Sequence, residues 1–385
     1  MNTRQSNNLY RFNLESQETT TGAVISLGRS SIFNGDPELT EKLQNTLAFE
    51  DGTRFKDESV INVEGRNIFI KLDSPEITLY DTIQLSGCGH IIPPHTGNER
   101  SVVVTKINPD TQLIQPPRTF TEGDTLYTHT TDYFDSEADG LMASTVDLSP
   151  IGGYAHALAV RKWDNTARAH SALLGSNVFT PLQQGFVDYP NAVDQTGAAQ
   201  RGIISLVPNG GRRLGQDFLP LLGSAKCSDE ILRYYLDFLS PKLRAVGLAA
   251  YIIHTESGFV HNQLTAGNVD PSFTDKDGQQ VTFVADWETP TKIDPVYSNE
   301  MRALDILKTV RSVTSVPLWN VENQSGDALW TKLAIRMGLD IFAGYESTDT
   351  PPVINERTLE NVANVMTGNP RLGVESAVEL MRQFA

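Results

Sequence analysis

Two segments in the second half of the chain contain side chains whose types and spacing suit metal-dependent chemistry. The first contains His261, Gln263 and Asn268, and the second contains Asp286 at the end of an apolar run. Amide and carboxylate oxygens are ligands that a hard cation such as Mg²⁺ prefers. Asn268 and Asp286 carry such oxygens.

The order and spacing of these residues resemble the catalytic loop and the metal-binding strand end of protein-kinase-like proteins. In that family, His is followed by any residue, Asp, Leu, three residues and Asn, and a further Asp ends a downstream strand. The chain matches this pattern at His261, Leu264, Asn268 and Asp286. The resemblance implies that Asn268 and Asp286 hold Mg²⁺ at the phosphates of ATP, and that His261 braces the loop.

The residues around the motif are similar to those of small-molecule kinases. Gly267-Asn268-Val269 and Asp286-Trp287-Glu288 resemble aminoglycoside phosphotransferases and choline-kinase-like proteins. The segment Gly202–Gly210 is similar to the strand that leads into their hinge. This close resemblance covers about a tenth of the chain. It implies transfer of a group from ATP to an acceptor that the sequence does not identify.

Gln263 departs from the family pattern, because it replaces the Asp that orients and deprotonates the attacking hydroxyl. A glutamine amide does not accept a proton at neutral pH. Three interpretations remain open. The protein transfers a group other than phosphoryl; or it takes a base from elsewhere, for which Asp270 or the acceptor is a candidate; or it is a pseudokinase that serves as a binding or scaffold module. Selenoprotein O proteins also lack this Asp and transfer AMP, and Leu85–Gly89 is loosely similar to their phosphate-loop region.

The candidates for the phosphate-covering loop and its lysine match the family pattern less closely than the catalytic loop does. Gly87 and Gly89 precede Lys106, and the resemblance makes these three the loop glycines and the strand lysine that meets the phosphates. Lys71 is a rival for the lysine. Glu137, in a segment predicted to be helical, is the candidate for the glutamate that pairs with the lysine.

The predicted elements change from strands to helices along the chain. A hairpin is predicted where Val60–Val63 and Asn67–Leu72 flank Glu64-Gly65-Arg66. Further strands are predicted at Ala23–Leu27, Thr82–Leu85, Ser101–Ile107, Ala155–Val160 and Gly202–Val207. Helices are predicted at Pro37–Leu47, Tyr133–Val146, Ser228–Leu239, Pro241–Ile252, Glu300–Val313, Ala328–Met337, Thr358–Met366 and Val374–Phe384.

This order predicts an α+β fold with two lobes. The resemblance makes residues 60–208 a β-rich N-lobe and residues 209–385 a helical C-lobe, with residues 1–59 as an N-terminal extension. The break at Pro208–Gly211 suits a hinge between them.

Composition limits the partners. The chain of 385 residues has a net charge of −16, which argues against a nucleic-acid partner. Two cysteines are too few for a disulfide framework, and neither a signal peptide nor a membrane-spanning run is visible, so we expect a cytoplasmic protein without a membrane partner. The expected function is a kinase-like transferase that uses ATP and Mg²⁺ on a small-molecule, peptide or protein acceptor. The alternative is an inactive pseudokinase that binds a partner protein.

Overall fold

The computed structural model of the chain describes sixteen ranges of residues, and within them the fold is of the α+β class with mostly antiparallel strand pairs. The described ranges are 15–18, 23–47, 60–64, 67–72, 79–88, 90–91, 114–115, 130–137, 140–147, 153–194, 196–221, 228–275, 278–323, 328–346, 355–367 and 375–382.

The strands and helices are numbered in chain order. The strands are β1 (Glu15–Glu18), β2 (Val24–Leu27), β3 (Val60–Glu64), β4 (Asn67–Lys71), β5 (Thr82–Ser86), β6 (His90–Ile91), β7 (Ile114–Gln115), β8 (Thr130–Glu137), β9 (Gly140–Asp147), β10 (Val178–Phe179), β11 (Leu182–Val193), β12 (Ala199–Val207), β13 (Phe259–Val260), β14 (Val269–Thr274), β15 (Gln280–Val284) and β16 (Thr291–Lys292). The α-helices are α1 (Pro37–Leu47), α2 (His156–Ala172), α3 (Ser228–Tyr234), α4 (Ser240–Ile252), α5 (Ser298–Asn323), α6 (Ala328–Glu346), α7 (Glu356–Thr367) and α8 (Glu375–Arg382).

Backbone contacts divide the chain into two compact units. Unit 1 comprises Met1–Thr130, Asp147–Ala167 and Pro181–Gly211. Unit 2 comprises Thr131–Val146, Arg168–Thr180 and Arg212–Ala385. Unit 1 therefore holds the large sheet, and unit 2 holds α3 to α8.

The sheet of unit 1 has seven strands in the order β1-β2-β11-β12-β5-β4-β3, and all neighbouring strands are antiparallel. The predicted hairpin is confirmed, because β3 pairs with β4 from Val60 opposite Ile70 to Glu64 opposite Asn67. The strands predicted from Ala23 and from Thr82 are confirmed as β2 and β5.

Two predictions in the first half were wrong. The segment Tyr133–Val146 is not a helix but parts of β8 and β9, which form a two-stranded sheet. Aromatic and β-branched residues favour strands there, and Gly140 weakens a helix. Glu137 therefore ends a strand and is not a helix glutamate. Residues 156–160 of the strand predicted at Ala155–Val160 belong instead to α2.

The start of α2 depends on a residue distant in sequence. The Asp194 carboxylate accepts the backbone N–H of His156 at 3.0 Å and, on its other oxygen, the N–H groups of Thr196 and Ala198. A side-chain oxygen that satisfies a free N–H at a helix N-terminus stabilises that helix. Because this acceptor lies 38 residues downstream, local sequence did not predict the helix.

The helices of unit 2 surround one hydrophobic cluster that includes Tyr235, Trp287 and Met337. The helices predicted from Glu300, Ala328, Thr358 and Val374 are confirmed as α5 to α8. Among the described residues, no helix is long and apolar enough to cross a membrane.

The helices α3 and α4 differ from the prediction, because Ser240-Pro241 does not separate them. A π-helical turn, Tyr235–Leu239, joins the two, and the Ser240 N–H bonds Tyr235 O. Pro241 has no N–H to donate, so the wider turn accommodates it without ending the helix.

Two glycines allow α4 and α6 to approach closely. A Cβ atom added at Gly247 would lie 1.9 Å from the carbonyl oxygen of Ile341, and one added at Gly344 would lie 1.9 Å from that of Arg244. Both positions therefore exclude any larger residue unless the helices separate.

Candidate functional site

The segment that contains His261 and Asn268 connects two strand pairs of unit 2. Before it, β13 pairs with β16, and after it, β14 pairs with β15, both antiparallel. The N–H of Ala285 donates to the carbonyl oxygen of Asn268 at 2.8 Å. Because Asp286 follows Ala285 directly, the structure brings the two predicted metal ligands to the same end of the β14–β15 pair.

His261 is fully buried and ties the loop to the residue before Asp286. Its Nε2–H donates to the carbonyl oxygen of Ala285 at 2.9 Å, and its Nδ1 accepts the N–H of Gln263 at 3.3 Å. These partners define a neutral imidazole with its proton on Nε2. Burial lowers the pKa of His261, although the nearby charge of Asp305 and the bond to Ala285 oppose this. His261 therefore positions the loop as a neutral brace.

Asp305 on α5 anchors the loop, and the sequence analysis missed it. Its Oδ2 accepts the backbone N–H of His261 at 2.8 Å and the Nε2–H of His254 at 3.0 Å. The other ring nitrogen of His254 lies 2.8 Å from the hydroxyl of Tyr345. Burial by itself raises the pKa of Asp305, but the hydrogen bonds from the His254 ring and from the His261 backbone N–H lower it overall. Asp305 is therefore a buried carboxylate that holds two elements together.

Two further side chains of α5 hold the same loop. Lys308 Nζ donates to the carbonyl oxygen of Asn262 at 3.0 Å, and the N–H of Ala266 donates to Ser312 Oγ at 2.8 Å. With Asp305, these residues have the spacing i, i+3 and i+7, which places them on one face of a helix. We call Asp305, Lys308 and Ser312 the anchoring stripe.

Asn268 has a defined amide orientation. Its Nδ2 donates to the carbonyl oxygen of Gln263 at 2.9 Å, and no hydrogen bond to its Oδ1 occurs within the described ranges. The acceptor atom of the amide is thus the one left to meet a ligand. The side chain of Gln263 is half-buried and makes no hydrogen bond to the part of the chain that the structure describes.

Backbone strain marks the same region. Asn262 and Asp286 have φ angles of 66° and 57°, and they are the only non-glycine residues with positive φ among those described. Such conformations persist where surrounding contacts fix them, and they are frequent at functional sites. Asn262 is fixed by its Nδ2, which donates to Thr289 O at 2.7 Å and to Thr291 Oγ1 at 2.8 Å.

The donor set suits Mg²⁺ in chemistry and number. Mg²⁺ sites commonly use one or two protein oxygen ligands and complete the shell with water and phosphate oxygens. Asn268 supplies an amide oxygen, and the half-buried Asp286 supplies a carboxylate. Among the described residues, no group of three or more His, Cys, Asp or Glu side chains could hold a metal ion, so a cage made only of protein groups is not found there.

Asp270, the candidate substitute base, lies in a cluster of buried charges. Its Oδ1 accepts the N–H of Ser272 at 3.0 Å, and its Oδ2 has no hydrogen-bond partner among the residues that the structure describes. Burial raises the pKa of Asp270, although Ser272, Arg212 and Lys242 oppose this. Lys242 Nζ donates to Ser272 Oγ at 2.8 Å and to Asp217 at 2.7 Å.

Arg212 and Arg213 also have specific partners. Arg212 forms an ion pair with the buried carboxylate of Asp217, and the Arg213 guanidinium lies 4.9 Å from the ring centre of Phe283.

The remaining candidates lie in other parts of the chain. Gly87 follows β5 with a φ angle of 73°, and an added Cβ there would lie 2.6 Å from the ring of Tyr154. Lys71 is the exposed last residue of β4. Gly89 and Lys106 lie outside the described residues, as does the strand predicted at 101–107. Glu137 lies in strand β8, so it is not the helix glutamate that was predicted to pair with a strand lysine.

Comparison with known proteins gives no family. No protein-family model matches the chain, and no curated protein is significantly similar to it.

Proposed function

We propose that this protein is a kinase-like transferase that binds ATP with Mg²⁺ through Asn268 and Asp286. The observation that supports this most is the hydrogen bond from Ala285 N–H to Asn268 O, which brings the two candidate ligands together. Mg²⁺ at such a site neutralises phosphate charge during transfer. In this proposal units 1 and 2 correspond to a β-rich N-lobe and a helical C-lobe, with residues 1–59 as an extension.

The fixed geometry of the loop favours a site that is already formed before ligand binding. His261 and the anchoring stripe hold the loop at four points: two N–H groups, one carbonyl oxygen and one ring nitrogen. Catalytic groups held by such supporting contacts lose little entropy on binding. The strained φ of Asp286 fits the same role.

The group transferred depends on Gln263. Its amide has no proton-accepting capacity at neutral pH, so it orients an acceptor but does not activate it. Asp270 is a weak substitute, since it is fully buried and its described contacts are with Ser272 and the cluster of Arg212 and Lys242. We therefore propose phosphoryl or adenylyl transfer to an acceptor that supplies its own base, or that needs none.

A second candidate function is an inactive pseudokinase that binds a partner protein. The specific observation in its favour is Gln263, whose amide replaces the catalytic acid and makes no hydrogen bond to described residues. In that case the anchored loop serves stability alone.

Calorimetry of ATP binding with and without Mg²⁺ tests the proposal. We expect Mg²⁺-dependent binding in the wild type, its loss in Asp286→Ala, and at least a tenfold weakening in Asn268→Ala, equal to about 1.4 kcal/mol. Asp237→Asn, which changes an exposed acid of unit 2, is the matched control and leaves binding unchanged. Absence of ATP binding in the wild type, or equal binding in Asp286→Ala, refutes the metal site and favours the pseudokinase.

ATP labelled separately at the α- and γ-phosphate distinguishes the two transfer reactions. Label from the α-position on an acceptor indicates adenylyl transfer, and label from the γ-position indicates phosphoryl transfer. If ATP binds but neither label is transferred to small-molecule, peptide or protein acceptors, the inactive alternative is supported.

A further inference from the structure

Strand β5 of unit 1 is buried on both faces, but only one face is apolar. Its five residues alternate in type, so Ile83 and Leu85 lie on one face and Thr82, Gln84 and Ser86 on the other. Antiparallel strands with this alternation usually expose their polar face to water. In β5 the polar residues are at most 4% exposed, so their hydrogen-bonding groups need partners inside the protein or in a ligand.

On the neighbouring strands the same face carries both apolar and polar residues, and its apolar members include Phe69 opposite Gln84 and Ile203 opposite Ser86. Ser86 is directly opposite Asn67 of β4, and Gln84 is directly opposite Ser205 of β12. Directly paired residues of antiparallel strands have their side chains on the same face. Asn67, Gln84, Ser86 and Ser205 therefore form one cluster across three strands, which we call the polar patch.

The side chains of the polar patch have unused hydrogen-bonding capacity. Within the described part of the chain, no hydrogen bond is made by the side chain of any of the four residues. Gln84, Ser86 and Ser205 are 4%, 2% and 5% exposed, and Oδ1 of Asn67 is fully buried without a partner. Native proteins leave few buried polar groups in this state, so such a concentration requires an explanation.

Polar side chains near the patch on the same face are, by contrast, satisfied. Thr82 Oγ1 accepts the N–H of Gly210 at 2.9 Å, and Gln183, which is opposite Ser205, donates from Nε2 to Trp163 O at 3.1 Å. At these two described positions next to the patch, the hydrogen-bonding capacity of the side chain is therefore used.

We propose that the polar patch binds an uncharged ligand group that both donates and accepts hydrogen bonds, such as a nucleobase or a sugar. The four side chains offer amide and hydroxyl donors together with amide and hydroxyl acceptors, and none is charged. A phosphate only accepts hydrogen bonds, so it leaves Oδ1 of Asn67 and Oε1 of Gln84 without donors. The patch therefore selects against polyphosphate and for neutral groups.

Stability measurements test the proposal without knowledge of the ligand. If the patch is unsatisfied in the free protein, Gln84→Leu and Ser205→Ala leave the melting temperature unchanged or raise it by a few degrees, because they remove unpaired polar groups. Thr82→Val is the matched control and lowers the melting temperature, because it removes the partner of Gly210 N–H. A fall in melting temperature for both Gln84→Leu and Ser205→Ala shows that the patch is structural and overturns the proposal.

Binding measurements test the class of ligand. The probes are adenine, ribose and inorganic tripolyphosphate, each followed by calorimetry with wild type, Gln84→Leu and Ser205→Ala. We expect adenine or ribose to bind the wild type and to lose at least tenfold in affinity in both variants, which identifies base or sugar as the group bound. Absence of binding by both neutral probes, or loss of tripolyphosphate binding in Gln84→Leu, overturns the proposal. Asp286 is intact in every variant, so these results are independent of the metal site in unit 2.

Discussion

Replacing Asp305 with alanine should destabilise unit 2 and release the loop that contains Asn268. The carboxylate accepts two buried hydrogen bonds, from His261 N–H at 2.8 Å and from His254 Nε2–H at 3.0 Å. Each buried donor left without an acceptor costs about 1–3 kcal/mol. We therefore expect Asp305→Ala to reduce the free energy of unfolding by about 2–6 kcal/mol. Both bonds end on Oδ2, so the single amide oxygen of Asp305→Asn is still placed to accept them, and its loss should be clearly smaller than that of Asp305→Ala.

Urea denaturation, combined with hydrogen exchange of the peptide 259–268, measures this effect. The unfolding curve gives the change in free energy, and the exchange data locate it in the loop. Asp237→Ala, at an exposed position, should change stability by less than about 0.5 kcal/mol. A loss of under about 1 kcal/mol for Asp305→Ala, or unchanged exchange in the loop, would refute the anchoring role.

The charge of Asp305 also has a pH consequence. Its folded pKa is lowered from the ordinary value of 3.8, so the ionised carboxylate stabilises the fold above pH 3.8. That contribution is lost as the pH falls through the lower, folded pKa. In Asp305→Asn the acid-side loss of stability should be smaller than in the wild type, and an equal loss would contradict the assignment.

Three other predictions concern the loop and the helix packing. The folded pKa of His261 lies below 6.5, so the free energy of unfolding of the wild type should fall as the pH decreases from 6.5. In His261→Gln, the free energy of unfolding measured between pH 7.5 and 5.5 should depend less on pH. The same pH dependence in the variant would exclude His261 as its source. Gly247→Ala should lower the free energy of unfolding by about 1–3 kcal/mol or more, because its Cβ would lie 1.9 Å from a main-chain oxygen. Gly338→Ala, whose Cβ would have its nearest neighbour at 3.4 Å, should be neutral or stabilising in the same denaturation assay. Ser312→Ala should cost about 1 kcal/mol and speed exchange of the Ala266 amide; normal protection of that amide would mean that the bond to α5 is dispensable.

Local patterns predicted the parts of the site that are close in sequence. The spacing of His261, Asn268 and Asp286 identified a loop and a strand end that the structure does bring together. The apolar repeats of α5 to α8 predicted those helices, because burial of one face dominates their formation.

Features that depend on distant partners were not predicted. Asp305 bonds to a residue 44 positions away, and a single acid within a helix has no sequence signature that separates a buried anchor from a surface charge. The start of α2 depends in the same way on Asp194. The strands around Glu137 show that β-branched and aromatic residues can override a pattern that resembles helix.

The anchoring stripe fixes the number of residues in α5 between Asp305 and Ser312, but not after Ser312. A helix turns by about 100° per residue, so one residue inserted between Asp305 and Ser312 would rotate Ser312 away from the loop while leaving Asp305 in place. An insertion after Ser312 would leave all three anchors in register. Insertions and deletions in α5 should therefore be tolerated after Ser312 but not between Asp305 and Ser312, where they would separate the anchors from the loop.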